Sequence, residues 1–201
     1  MAIVVEHTKR KKQILSKALD VFIEEGFENA TFQKIADKCK VTRTTLYTYF
    51  KNKREIFLWS IKQMMSALEV SILAIANNCA LSASEQCEKI LFAVIDSAEK
   101  NTKLLNVLLL YVLELKKQKV NVRERIARRV VKLKHVLSTV LIRGMKTSEL
   151  KTMNVKDMND IFYSLIEAAI FRLTVFGEQN ISDIRESISF SIKNLQRETE
   201  K

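Results

Sequence analysis

Between Thr42 and Lys53 the chain runs Thr-Arg-Thr-Thr-Leu-Tyr-Thr-Tyr-Phe-Lys-Asn-Lys without one acid. Residue types of this kind suit nucleic acid. An arginine such as Arg43 can fork onto the O6 and N7 of guanine. The methyl groups of Thr44, Thr45 and Thr48 can touch a thymine methyl, and hydroxyls can donate to phosphate oxygens. No comparable constellation for catalysis stands elsewhere. The chain has two histidines, His7 and His135, and neither sits in an acid-base pair; there is no HExxH and no glycine-rich phosphate loop. Its three cysteines, Cys39, Cys79 and Cys87, stand in no CxxC spacing, so buried thiols are expected in place of a disulfide or zinc site. The chain is expected to be no enzyme and to use no cofactor and no metal.

Such side chains need elements to position them. From Thr8 to Glu25 the residues Ile14, Leu15, Ala18, Val21 and Phe22 recur at three- and four-residue steps, an amphipathic helix that Gly26 can end. Thr31 can cap a two-turn helix carrying Ile35, Ala36 and Cys39, and Thr42 can cap a third from Arg43 to Phe50. Two short helices so closely joined must cross steeply, as in a helix-turn-helix. With Ile35, Ala36, Val41, Leu46 and Phe50 turned inward, Arg43, Thr44, Thr45, Tyr47, Thr48 and Tyr49 face out. Asn52 and Glu55 form a capping-box pattern that opens a long fourth helix, and Lys53 places charge beside its phosphate-suited N–H groups.

The runs Thr31-Phe-Gln-Lys-Ile-Ala36 and Val41-Thr-Arg-Thr-Thr-Leu-Tyr-Thr-Tyr-Phe-Lys-Asn-Lys-Arg-Glu-Ile56 resemble the DNA-binding domain of the TetR family of bacterial regulators. The specific part is Leu-Tyr-x-Tyr-Phe-x-x-Lys-x-Glu ending at Glu55, and the likeness covers residues 8–57. Lys40 stands where the family usually has glycine, and Thr42 where it has serine. The resemblance implies phosphate contacts from Tyr47, Tyr49 and Lys53 and base contacts from Arg43 and Thr44, with Thr45 and Thr48 able to do either. Thr31 and Thr42 belong to the same DNA-binding set. It further implies a homodimer on a pseudo-palindromic double-stranded DNA operator, released when a small-molecule effector enters the helical body, with repression as the outcome.

The rest of the chain continues in helical periodicity: Lys53–Asn77, then Ser82 with Glu85 as a capping box opening a helix to Lys100, then Thr102–Leu115, Val120–Met145, Val155–Phe176 and Asp183–Gln196. The expected fold is all-α with about nine helices. A three-helix DNA-binding domain over 1–55 precedes a ligand-binding and dimerisation domain over 56–201. Absence of proline and only three glycines among 201 residues agree with this. Candidate effector contacts, apolar or amphipathic and turned inward, are Met64, Leu68, Phe92, Ile95, Tyr111 and Phe171. By the resemblance the last two helices pair with their two-fold mates, which makes Phe162, Leu165, Ala169, Ile184, Ile188, Ile192 and Leu195 the candidate interface.

Net charge is +11, yet residues 155–201 hold only six Lys/Arg against eight Asp/Glu. The excess lies upstream, and its densest part is Lys116–Lys134, with nine Lys/Arg against Glu124 alone. Its apolar stripe of Val122, Ile126, Val130, Leu133, Leu137 and Val140 leaves the charge on the opposite face. That face is either solvated, a rim attracting an anionic effector such as an acyl thioester or a phosphorylated metabolite, or a source of non-specific attraction to DNA. An alternative function is a non-enzymatic helical protein whose basic helix meets anionic membrane surfaces. With no secretory signal and no uncharged stretch of membrane-spanning length, the chain is expected in the cytoplasm, with no membrane partner.

Overall fold

A computed structural model describes residues 2–121, 123–178 and 180–197, and the side chains among them other than those of 2–5 and 123–129. Among these residues the chain forms nine α-helices and no strand: α1 (Ala2–Asn29), α2 (Phe32–Cys39), α3 (Arg43–Tyr49), α4 (Lys53–Ala76), α5 (Ala83–Lys100), α6 (Thr102–Lys117), α7 (Arg123–Lys146), α8 (Val155–Phe171) and α9 (Ser182–Leu195). The all-α class expected from periodicity is the class observed. The chain divides into two compact units, one of Met1–Ala67 with Val107–Tyr111 and one of Leu68–Asn106 with Val112–Lys201.

In the first unit Ile14, Leu15, Ala18, Val21 and Phe22 of α1 are buried, as their spacing requires. Regular helix ends at Gly26, whose φ of 78° and ψ of 166° only glycine adopts readily, and the last turn to Asn29 lies beyond this kink. Thr31 caps α2 by accepting from the Lys34 amide at 3.2 Å, and Thr42 caps α3 by accepting from the Thr45 amide at 3.0 Å. Between them Lys40 takes left-handed dihedrals, φ 55° and ψ 48°, and its amide reaches the Asp37 carbonyl at 3.0 Å. Ion pairs of Lys34 with Glu25 and Lys38 with Glu24 tie α2 to the end of α1.

At the start of α4 the Glu55 amide donates to Asn52 Oδ1 at 2.9 Å, but the Glu55 carboxylate accepts from the Lys51 amide at 2.7 Å. The capping box expected there is thus shifted back by one residue on its return arm. By length and composition α4 could cross a membrane. Its Ile56, Phe57, Ile61, Ile72 and Ala76 are instead buried in the protein.

In the second unit α5 packs against α7, α8 and α9, and α8 packs against α7 and α9. The capping box at its start is complete: Ser82 Oγ accepts from the Glu85 amide at 3.3 Å, and Glu85 accepts from the Ser82 amide at 2.8 Å. Close approach of α5 and α7 requires Gly144, where a Cβ would lie 2.5 Å from that of Ala83. Arg185 of α9 fastens to α5 through Asp96 and Glu99, both at 2.6 Å. The segment expected as one helix over Val155–Phe176 changes to π-helical hydrogen bonding over Arg172–Phe176. Arg172 there pairs with Asp183 at 2.7 Å.

Candidate nucleic-acid interface

Helix α3 is fixed by Leu46 and Phe50, both buried, and by its packing against α2. This leaves Arg43, Thr44, Tyr47 and Thr48 exposed and Thr45 and Tyr49 half-buried. The side chains of Arg43 and Thr44 enter no hydrogen bond or ion pair with another described residue, so both are free to meet a ligand. The four other threonines are engaged locally. Thr31 and Thr42 serve as helix caps, Thr42 Oγ1 and Thr45 Oγ1 share a hydrogen at 2.8 Å, and Thr48 Oγ1 donates to the Thr45 carbonyl at 2.6 Å. Their methyl groups and remaining lone pairs stay available.

Two aromatic stacks set the tyrosines. Tyr47 lies on Phe32 with centroids 4.4 Å apart and planes inclined by 17°, and Tyr49 lies on His7 at 4.5 Å and 24°. The apolar body of each ring is thereby supported by a neighbouring helix. His7 is part of α1 and positions Tyr49. The signal was present in the sequence, since His7, Lys11 and Ile14 fall on one helical face.

Lys53 has an internal engagement that its position in the motif does not reveal. Its ammonium donates to the carbonyls of Phe27 at 2.9 Å and Glu28 at 2.8 Å and sits 4.8 Å above the Phe27 ring. Phe27 in turn packs on Phe57 and on Tyr111 at centroid distances of 5.1 and 4.5 Å. The Tyr111 hydroxyl is buried there without a partner. Cys39 is buried beside the Ile14 carbonyl, and burial raises its thiol pKa.

The candidate effector residues are distributed unevenly. Ile95 and Tyr111 are buried, Met64, Leu68 and Phe92 are half-buried, and Phe171 is 51% exposed. Met64 and Tyr111 belong to the first unit and the other four to the second. Of the candidate interface residues, Phe162, Ala169, Ile184, Ile188, Ile192 and Leu195 are buried in the chain's own core, and Leu165 is half-buried against it. Their periodicity marked the faces that α8 turns toward α5 and α7 and that α9 turns toward α5 and α8. The large apolar residues left exposed on α8, its π-helical end and α9 are Ile161, Phe171, Val175, Phe176 and Phe190. In the basic segment Lys132 pairs with Glu69 and Lys134 with Asp160, while the side chains of Arg123, Arg125, Arg128 and Arg129 lie outside the described residues.

Residues 14–58 match the family described as bacterial regulatory proteins, tetR family. That match covers the chain from within α1 to the start of α4 and marks it as the DNA-binding domain type of this family of transcriptional regulators. It is similar to the HTH-type transcriptional regulator YdeS of Bacillus subtilis (strain 168), 40% identical over 47 residues that make up 23% of this chain and 24% of that protein. A longer likeness, 25% identical over 169 residues and covering 81% of this chain and 83% of the other, is to the fatty acid metabolism regulator protein of the same organism. In fold the chain resembles the transcriptional regulator FadR from Bacillus subtilis, solved in complex with stearoyl-CoA, with a TM-score of 0.67 and 21% identity over 90% of this chain and 96% of that one.

Proposed function

We propose that this regulator is a homodimeric repressor that reads a pseudo-palindromic operator and releases it when an acyl thioester of coenzyme A enters the helical body. The observation that carries the DNA reading is the exposed, acid-free face of α3, on which Arg43 and Thr44 have no partner within the protein. Arg43 and Thr44 meet base edges; Tyr47, Tyr49 and Lys53 hold phosphates; Thr45 and Thr48 complete the contact with either. Phosphate contacts fix the register, and the base contacts select the sequence. No catalytic role is assigned, and the protein works in the cytoplasm, where its DNA is.

The effector class is supported by the likeness to a fatty acid metabolism regulator, which extends over most of both chains and so includes the helical body. An acyl thioester is apolar at one end and anionic at the other, which suits a body of apolar helices bearing the basic Lys116–Lys134 segment. To act as an inducer it must bind the released form more tightly than the DNA-bound form, since equal affinity would shift nothing. The dimer is supported by the exposed apolar set Ile161, Phe171, Val175, Phe176 and Phe190, together with the slightly acidic balance of residues 155–201.

Selection of bound duplexes from a random DNA pool, with the molar mass of the complex measured alongside, tests this reading. An enriched inverted repeat carrying one or two dimers, released by stearoyl-CoA and not by coenzyme A alone, is the expected result. Enrichment without release would overturn the effector. Absence of enrichment, with tight binding to anionic vesicles, would overturn the operator reading in favour of the membrane-surface alternative.

A further inference from the structure

Between α1 and α4, wholly within the first unit, lies a cavity of about 470 Å³. Its wall is formed by the indole of Trp59 and by Leu15, and Lys11, Lys12 and Lys62 line it with no acid among the lining residues. The helices are held together along it by two hydrogen bonds: Ser60 Oγ donates to the Leu15 carbonyl at 2.8 Å, and Gln63 Nε2 donates to the Lys12 carbonyl at 3.3 Å. Two ammonium groups converge on the indole, Lys11 at 4.7 Å and Lys62 at 4.5 Å from the ring centroid. The ion pairs between described side chains of this unit, Lys34 with Glu25 and Lys38 with Glu24, involve none of the three lysines. A volume of this size is that of a small-molecule site. Lysines gathered without a counter-charge repel one another, and an anion placed between them removes that repulsion.

We infer that this cavity binds a small amphiphilic anion, with a carboxylate or phosphate monoester head held between Lys11 and Lys62 and an apolar body laid against Trp59 and Leu15. The aromatic wall gives the site its preference for a head that carries a tail, and the lysines give it the sign of the charge. It is separate from the effector site proposed in the helical body, of which Phe92, Ile95 and Phe171 are candidates, and it does not depend on that proposal. Lys11 also lies 5.2 Å from the ring of Phe50, the residue that ends α3, so the site shares a side chain with the support of the recognition helix.

Trp59 is the chain's single tryptophan, and its emission therefore reports on this cavity alone. The full-length protein without DNA is titrated with octyl phosphate below its micellar range. A saturable change in Trp59 emission is expected, with octanol giving none and inorganic phosphate binding at least about tenfold more weakly. Lys62→Gln, a change at an exposed position, is expected to weaken octyl phosphate by about tenfold, and Lys11→Gln likewise, with the helical circular dichroism of both variants unchanged. Four results would overturn the assignment: no saturable change, an equal response to octanol, unaltered affinity in Lys62→Gln, or a response confined to phosphatidylglycerol vesicles. Because DNA and acyl thioesters are absent from the titration, its failure leaves the operator and effector readings standing.

Discussion

The ammonium of Lys53, at the first turn of α4, donates to the carbonyl of Phe27 at 2.9 Å while resting 4.8 Å above the ring of the same residue. One side chain thus closes the end of α1 beyond the Gly26 kink and holds it to the start of α4. Two of its three N–H donors are used on carbonyls, at Phe27 and Glu28, and the third remains for a phosphate.

Lys53→Ala is accordingly expected to have two separable effects. Loss of two charge-assisted hydrogen bonds lowers the stability of the first unit by about 1–2 kcal/mol, read by urea unfolding. Binding to all duplexes weakens alike, and the salt dependence flattens by about one phosphate contact. An unchanged salt slope with lowered stability would leave Lys53 as a structural clamp only.

Lys40 holds φ 55° and ψ 48° at the turn between α2 and α3, a conformation strained for any residue with a Cβ. Lys40→Gly is expected to raise stability by about 1 kcal/mol in the same unfolding measurement, because the strain exceeds the added backbone entropy of glycine in the unfolded chain. A loss of stability would show that the lysine side chain contributes packing that outweighs the strain.

Arg43 is exposed and has no internal partner, so Arg43→Ala should leave stability within about 0.5 kcal/mol. Its effect belongs on DNA: discrimination at one base pair of each half-site relaxes by about 1–3 kcal/mol. Competition binding against single-substitution operators measures this. Equal weakening on every duplex would move Arg43 from the base-reading set to the phosphate set.

Phe190 of α9 is 69% exposed although its neighbours Ile188 and Ile192 are buried. If this face covers its two-fold mate, Phe190→Glu halves the molar mass seen by light scattering while helical content stays constant. A charge placed in the centre of an apolar interface cannot be solvated there. A dimer that persists in Phe190→Glu would remove Phe190 from the interface.

The three thiols should differ sharply in reactivity. Burial pushes Cys87 up to about 12 and also raises Cys39, whereas Cys79 is exposed. At pH 8 a thiol reagent is therefore expected to label the native protein rapidly at Cys79 alone, and all three sites only after unfolding. Rapid labelling of Cys87 in the native state would contradict the packing of α5.

Much of this molecule could be read before its structure. Thr31, Thr42 and Ser82 cap helices where their positions in the chain said they would, because a cap is satisfied by amides two or three residues away. The burial of Ile14, Leu15, Ala18 and Leu46 follows from spacing for the same reason, since one helix face is a local property. Tertiary structure alone decided what lay opposite those faces. The stripe Ile184, Ile188, Ile192 and Leu195 was legible as apolar, but its cover proved to be the chain's own core, and Phe190 was left outside. Lys53 was legible as a cation at a helix start, but its carbonyl partners lie some twenty-five residues upstream in sequence. Val107–Tyr111 joins the first unit although α6 lies far along the chain from α1 to α3. Periodicity records which side of a helix avoids water, and it carries no information about which surface supplies the shelter. That choice rests on long-range packing, where shape and charge from distant segments meet for the first time.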